Sequence, residues 1–282
     1  MQPESGDAMN EENSGSDFIL SAIRRARDER TAHVPAADRA HVVRPDTPWA
    51  SLLSFEPNPK HLEKGLVRTL RSGPDAKPFD MMRTKLLHQM RKNSWRRVAL
   101  ISPNSGCGKT MLTVNLAFSC ARQHDLRAMA VELDMRRPSM ARLLGLKSGH
   151  RFSEALAGRA QAADHLARVG TNLAFATNAR PEPGAAELLA STQAAQILDR
   201  VEHDFAPDIM ILDLPPLLMT DDAMAFMDQV DCVLLVAAAE RNTMAEITRC
   251  AEELAARCNF LGVILNKCRF AGNEDRYGYG YD

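Results

Sequence analysis

The sequence predicts an α/β fold, a mainly parallel central sheet flanked by helices on both faces, behind a largely disordered N-terminal extension. Three observations carry this. Short, continuously apolar runs recur at Val98–Ile101, Ala128–Leu133, Ile209–Leu212, Cys232–Ala237 and Leu261–Leu265, with a weaker one at Leu173–Thr177. Segments of helical periodicity separate them. Strands that are apolar throughout, rather than alternating, belong to sheets buried on both faces. Ligands bind such sheets beyond the carboxyl ends of their strands, and the polar motifs of this chain fall at those ends.

Taken in order, residues 1–16 are rich in Glu, Ser, Gly and Asn and read as disordered. Asp17 opens a short helical pattern through about Arg30, with Ile19, Ile23 and Ala26 on one face. Residues 31–60 carry Pro35, Pro45, Pro48, Pro57 and Pro59 without a sustained period, so they read as linker. The expected organisation is an extension over 1–60, a folded domain over 61–270 and a flexible tail over 271–282. Within the domain, Phe79–Met90 is a helix with Phe79, Met82, Leu86 and Met90 on one stripe. Arg91-Lys92 and Arg96-Arg97 around Trp95 read as a solvated helix end. Further helices are expected over Lys109–Arg122, Ala185–Val201, Asp222–Met227 and Thr243–Cys258.

Composition bounds the function. The 282 residues carry 35 basic and 36 acidic side chains, a balance that excludes a dedicated nucleic-acid binder. No run approaches the roughly 18 apolar residues of a membrane helix, and no secretory signal opens the chain, so a cytoplasmic protein is expected. The six cysteines show no CxxC pair and no zinc spacing; Cys250 and Cys258 share a stripe with Ile247 and Leu254 and read as small buried hydrophobes.

The chemistry concentrates in three segments. Ser102-Pro-Asn-Ser-Gly-Cys-Gly-Lys-Thr110 follows a strand and opens a helix, the context that a Walker A phosphate loop requires. Backbone N–H groups from Ser105 through Met111 would surround the phosphates of ATP, with Gly106, Cys107 and Gly108 allowing close approach. Lys109 would meet the β/γ-phosphates, and the Thr110 hydroxyl would ligate Mg2+. Pro103 stands where the usual pattern has its first glycine. Asp213 ends the Ile209–Leu212 run as a Walker B carboxylate, placed to hold Mg2+ directly or through water. Glu132-Leu133-Asp134 ends another strand, and alternation puts both acids on one side. One would orient metal-bound water; the other would accept the proton of an attacking hydroxyl. The sequence leaves open which is the base.

All three tyrosines of the chain, Tyr277, Tyr279 and Tyr281, fall in its last six residues. A triphosphate site together with a tyrosine cluster points to an enzyme that phosphorylates its own tail.

On these motifs the sequence resembles the bacterial tyrosine kinases of polysaccharide biosynthesis, over roughly Phe79 to Asp282. The segment Glu132–Pro138 looks like the family's Walker A′ segment, with Glu132 where the family has Asp. Pro183, Glu187-Leu188-Leu189 and Gly262–Asn266 also look familial. The resemblance implies a P-loop fold, ATP and magnesium, tyrosine autophosphorylation and a role for Asn266 in recognising adenine. It also implies a separate membrane-embedded partner that regulates polysaccharide chain length, and a cognate phosphotyrosine phosphatase. Lys77, Asp80 and Arg83 match the family's oligomerisation motif only at the last arginine, so a weak homo-oligomer is expected. Two other functions fit part of this pattern. A positioning or partitioning ATPase would carry a signature lysine where this chain has Asn104. A nucleotide-binding adaptor without kinase activity would not need Lys109, Thr110, Asp134 and Asp213 intact.

Overall fold

The computed structural model describes residues 47–147 and 149–268. The helix expected over 17–30 and the tail tyrosines lie outside the described residues.

Eight strands form one sheet: β1 (Leu53–Ser54), β2 (Arg97–Ile101), β3 (Ala128–Glu132), β4 (Leu166–Val169), β5 (Leu173–Ala176), β6 (Ile209–Asp213), β7 (Cys232–Ala238) and β8 (Asn259–Asn266). Their order is β1-β4-β5-β3-β6-β2-β7-β8, and every pairing is parallel except β4 with β5. Every residue of β2, β3 and β6 is buried, as the continuous apolar runs required. The helices α3 (Lys77–Asn93) and α4 (Lys109–Ala121) pack on one face, burying Leu86, Leu87 and Met90 with Leu112, Leu116 and Phe118. On the other face, α6 (Phe152–Leu156), α8 (Thr192–Phe205) and α10 (Met244–Ala255) bury Phe152, Leu198, Phe205, Ile247 and Leu254. Cys250 lies in this second layer, fully buried, as its stripe predicted. Among the described residues, no helix is long and apolar enough to cross a membrane.

Order begins earlier than the prolines suggested. From Thr47 the stretch read as linker holds α1 (Thr47–Ala50), the edge strand β1 and α2 (Pro59–Lys64). Trp49 is the anchor: it is 3% exposed, meets Phe205 edge-on at 6.5 Å and lies under the Arg127 guanidinium at 5.6 Å. Burying a side chain of that size stabilises the fold by about 2–3 kcal/mol. The expected helix over Ala185–Val201 is two: α7 (Ala185–Leu189) ends before Ser191, whose hydroxyl caps α8 by accepting from Ala194 N. Sequence periodicity also passed over α5 (Met140–Leu144), α9 (Asp222–Ala225) lies within the expected 222–227, and β4 was not expected.

Candidate active site

The phosphate loop leaves the carboxyl end of β2 at the centre of the sheet and runs into α4. Gly106 and Gly108 sit at φ 79° and 88°, backbone that β-carbon-bearing residues rarely adopt. Gly108 has a second reason to be glycine: a Cβ there would lie 2.4 Å from the Asn266 side-chain nitrogen. Neighbouring strands hold the loop from outside. Asn266 Nδ2, at the end of β8, donates to the Cys107 carbonyl at 2.8 Å. Lys267 Nζ donates to the Gly106 carbonyl at 2.7 Å, and an Arg241 nitrogen reaches the same oxygen at 3.3 Å. With their carbonyls engaged outward, the loop's amides are left for an anion. Asn104 donates to Glu246 Oε1 on α10 at 2.8 Å, so this position braces the loop.

Inside the loop, Lys109 Nζ donates to Asp213 Oδ1 at 2.7 Å and lies 3.5 Å from Asp134 Oδ2. Strand register makes this meeting possible. Asp213 pairs across from Glu132 on one side and Leu100 on the other, and its carbonyl accepts from the amides of both Leu133 and Asp134. Burial opposes the lysine's charge, but the two carboxylates outweigh it and hold its pKa above the ordinary 10.5. Burial raises Asp134 above its ordinary 3.8, against the pull of Lys109 and with the help of Asp213. A carboxyl so shifted is better matched to accepting a phenolic proton.

The fit of a divalent cation rests on an orphan atom. Asp213 is fully buried, and its Oδ2 has no hydrogen-bond partner. A buried carboxylate oxygen left without a donor is costly unless something occupies it. Thr110, half-buried, lines the nucleotide pocket; Asp213 is not in that lining but is bonded to Lys109, which is. A hard cation with oxygen ligands suits this pair.

Glu132 is different. Strand alternation gave it the same side as Asp134, yet the chain turns after β3 and separates the two. Glu132 is fully buried; Oε1 accepts from the Ser139 and Met140 amides at 2.6 and 2.7 Å, and Oε2 from the Asn178 amide at 2.9 Å. Burial lifts its pKa to about 7, those three donors notwithstanding. It ties the start of α5 to the end of β5 and does not line the pocket. Arg136 forms a bidentate pair with buried Asp222 (2.7 and 3.1 Å), fixing the segment after Asp134.

The pocket over these groups encloses about 540 Å³. Ser105 through Met111 and Asp134 line it, as the motifs predicted; Asn266 stands behind the loop rather than in the lining. Sequence reasoning missed the far wall, made by His61, Lys64, Arg137, Ser139, Arg142 and Leu143. One signal for it was available: Asn58-Pro59 is a helix-start pair, cap residue then proline at the first turn, inside the stretch taken for linker.

A mainly parallel sheet with a phosphate loop after one inner strand, and acids at the ends of the next two strands on one side, defines a class of nucleotide-binding protein. Residues 98–277 match the CobQ/CobB/MinD/ParA nucleotide-binding domain family, and the chain belongs to it. Two relatives bear out the resemblance drawn from the motifs. CapB of Staphylococcus aureus is 26% identical over 203 residues, covering 71% of this chain and 88% of CapB. The tyrosine-protein kinase Etk of Escherichia coli K12 is 30% identical over 213 residues, 74% of this chain but 27% of Etk, so the chain spans about a quarter of that longer relative. The solved kinase domain of the E. coli tyrosine kinase ETK superposes with a TM-score of 0.62 at 25% identity, covering 74% of this chain and 82% of that one.

Proposed function

We propose that the chain is an ATP-dependent protein-tyrosine autokinase whose acceptors are Tyr277, Tyr279 and Tyr281. One observation carries the reading: Lys109, Asp134 and Asp213 converge at a phosphate loop in a chain whose every tyrosine lies in one terminal cluster. The kinase names of the relatives support it.

In this reading the loop amides and Lys109 bind the β- and γ-phosphates, and the phosphates compete with Asp213 for the lysine. Thr110 and Asp213 would hold Mg2+, which when bound neutralises developing charge on the phosphates. The phenolic oxygen attacks the γ-phosphorus in line, the bond to the β-phosphate oxygen breaks, ADP departs and the phenolic proton passes to Asp134. Positioning and charge neutralisation supply most of the acceleration. Asn266, which already holds the Cys107 carbonyl, is the candidate for contacting adenine.

The physiological role we propose is regulation of capsular or exopolysaccharide polymerisation and export, in the cytoplasm, with a separate membrane-embedded chain-length regulator as partner and a phosphotyrosine phosphatase to reverse the mark. Self-association is proposed to be weak. Asp80 accepts from Ser119 and Arg122, and Arg83 donates to Ser119, so both are occupied within the chain. The experiment is phosphotyrosine detection on purified protein with ATP and Mg2+, beside the triple change Tyr277→Phe, Tyr279→Phe, Tyr281→Phe. Signal is expected in the first and none in the second; no signal in the first refutes the assignment.

A further inference from the structure

Apart from Arg137, which lies in the segment Glu132–Pro138, the pocket's far wall belongs to none of the nucleotide motifs, yet it is firmly built. The Asn58 side chain caps α2 by accepting from the Lys60 and His61 amides at 3.0 and 3.3 Å, and Leu62 fixes α2 in the core. His61 Nε2 lies 2.9 Å from the Arg142 carbonyl of α5. Two glycines permit this approach: a Cβ on Gly65 would lie 2.6 Å from Leu143 Cδ1, and one on Gly145 (φ 73°) would lie 2.9 Å from His61 Cδ2. The result presents Lys64, Arg137 and Arg142, all exposed, along one side of the pocket. Among the described residues none of the three has a carboxylate partner, whereas Arg97, Arg122, Arg136, Arg151 and Arg159 all do.

Sheet order says what this wall faces. Counting from β2, which carries the phosphate loop, β8 with Asn266 lies two strands to one side and β3 two strands to the other. Asp134 follows β3, and Arg137 and α5 follow Asp134. The cationic wall is therefore on the side of the proposed base, opposite Asn266.

We infer that this wall is the acceptor subsite, resting on the kinase reading above: Lys64, Arg137 and Arg142 bind the acidic residues beside the tail tyrosines and bring a tyrosyl oxygen to Asp134. The occupant is the segment 272–282, from the same or a second copy of the chain. It carries Glu274, Asp275 and Asp282 against a single Arg276. The described chain also ends beside the phosphate loop, because Lys267 touches Gly106. The nine residue steps from Cys268 to Tyr277 span up to roughly 30 Å at ~3.3–3.6 Å each, enough to cross the pocket.

The test uses a fluorescent peptide of residues 272–282 and the full chain with its three tyrosines changed to Phe. Anisotropy with ADP and Mg2+ gives the peptide Kd; turnover with ATP gives KM for peptide and for ATP. Lys64→Ala with Arg142→Ala should raise peptide Kd and KM at least tenfold and shift KM for ATP less than twofold. A peptide with Glu274 and Asp275 changed to Gln should lose the same factor against the parent chain and nothing further against the variant. Lys64→Arg with Arg142→Lys, which keeps the charge, should restore binding and so separates this role from a folding defect. An unchanged peptide Kd, or an equal rise in KM for ATP, overturns the acceptor subsite. Absence of any phosphotyrosine would sink the kinase reading instead, and anisotropy would still decide whether the wall binds the tail.

Discussion

The two walls of the pocket are built on opposite terms. The phosphate-loop wall satisfies itself: Gly106 and Cys107 carbonyls are taken by Arg241, Lys267 and Asn266, and its buried cation, Lys109, rests on Asp213 and Asp134. The α2–α5 wall holds its backbone tightly, but among the described residues its cationic side chains have no carboxylate partner. A buried charge must be paired within the fold, because desolvating it alone costs several kcal/mol; an exposed charge carries no such demand and is free to meet a ligand. The first wall thus binds phosphate by exchanging partners, and the second binds an acidic chain by gaining them.

Breaking the first wall should give the largest effect. Lys109→Met removes the cation and leaves Asp213 and Asp134 facing each other unneutralised. Autophosphorylation should fall by roughly 10³-fold or more, since the transferring phosphoryl group loses its charge partner. Phosphotyrosine blotting reads this directly, and undiminished signal would contradict the site. Asp134→Asn is the next in size. It keeps the shape and removes the proton acceptor, so the rate constant should drop about 10²-fold while nucleotide affinity, measured by titration of a fluorescent ATP analogue, is retained.

Glu132→Ala strikes the joint between the walls. Three backbone amides lose their acceptor, at a cost of about 3 kcal/mol or more in urea unfolding. Because Ser139 and Met140 begin α5, the tail-peptide KM should rise before KM for ATP does. Were Glu132 a base instead, Glu132→Gln would abolish transfer without altering the unfolding midpoint.

The smallest effect lies away from both walls. His150 is buried and His165 half-buried, their rings 6.3 Å apart, and His165 Nδ1 accepts from the Arg151 amide. Burial lowers both below their ordinary 6.5; the charge of His165 lowers His150 further, while on His165 Asp164 and Glu154 pull upward and Arg151 pulls down. The unfolded chain then binds more protons below pH 6.5, so stability should be full above that pH and fall as pH drops through it. Replacing His165 with Gln should flatten the slope of urea midpoint between pH 7.5 and 5.5; an unchanged slope would show that this pair does not couple folding to pH.

The sheet's centre and the phosphate loop were legible in the sequence because their constraints are local. A run such as Val98–Ile101 announces burial by composition, and Gly106-Cys-Gly-Lys-Thr110 announces a phosphate by spacing. What failed depended on long-range packing. Trp49 orders its segment through Phe205, more than 150 residues away, so nearby prolines misled. Glu132 and Asp134 sit on one side only while the chain stays extended, and it turns as soon as Leu133 and Asp134 bond to the Asp213 carbonyl. The cationic wall joins α2 to α5 across some 80 residues, and only the Asn58-Pro59 start of α2 is written locally.

The central claim is that this phosphate loop serves this tail. Mass-spectrometric mapping after incubation of the purified full chain with ATP and Mg2+ tests it most directly. Phosphate should appear on Tyr277, Tyr279 or Tyr281 and be missing from the same peptides of Lys109→Met. Phosphate confined to serine or threonine, or ATP turnover that leaves all three tyrosines unmodified, would contradict it.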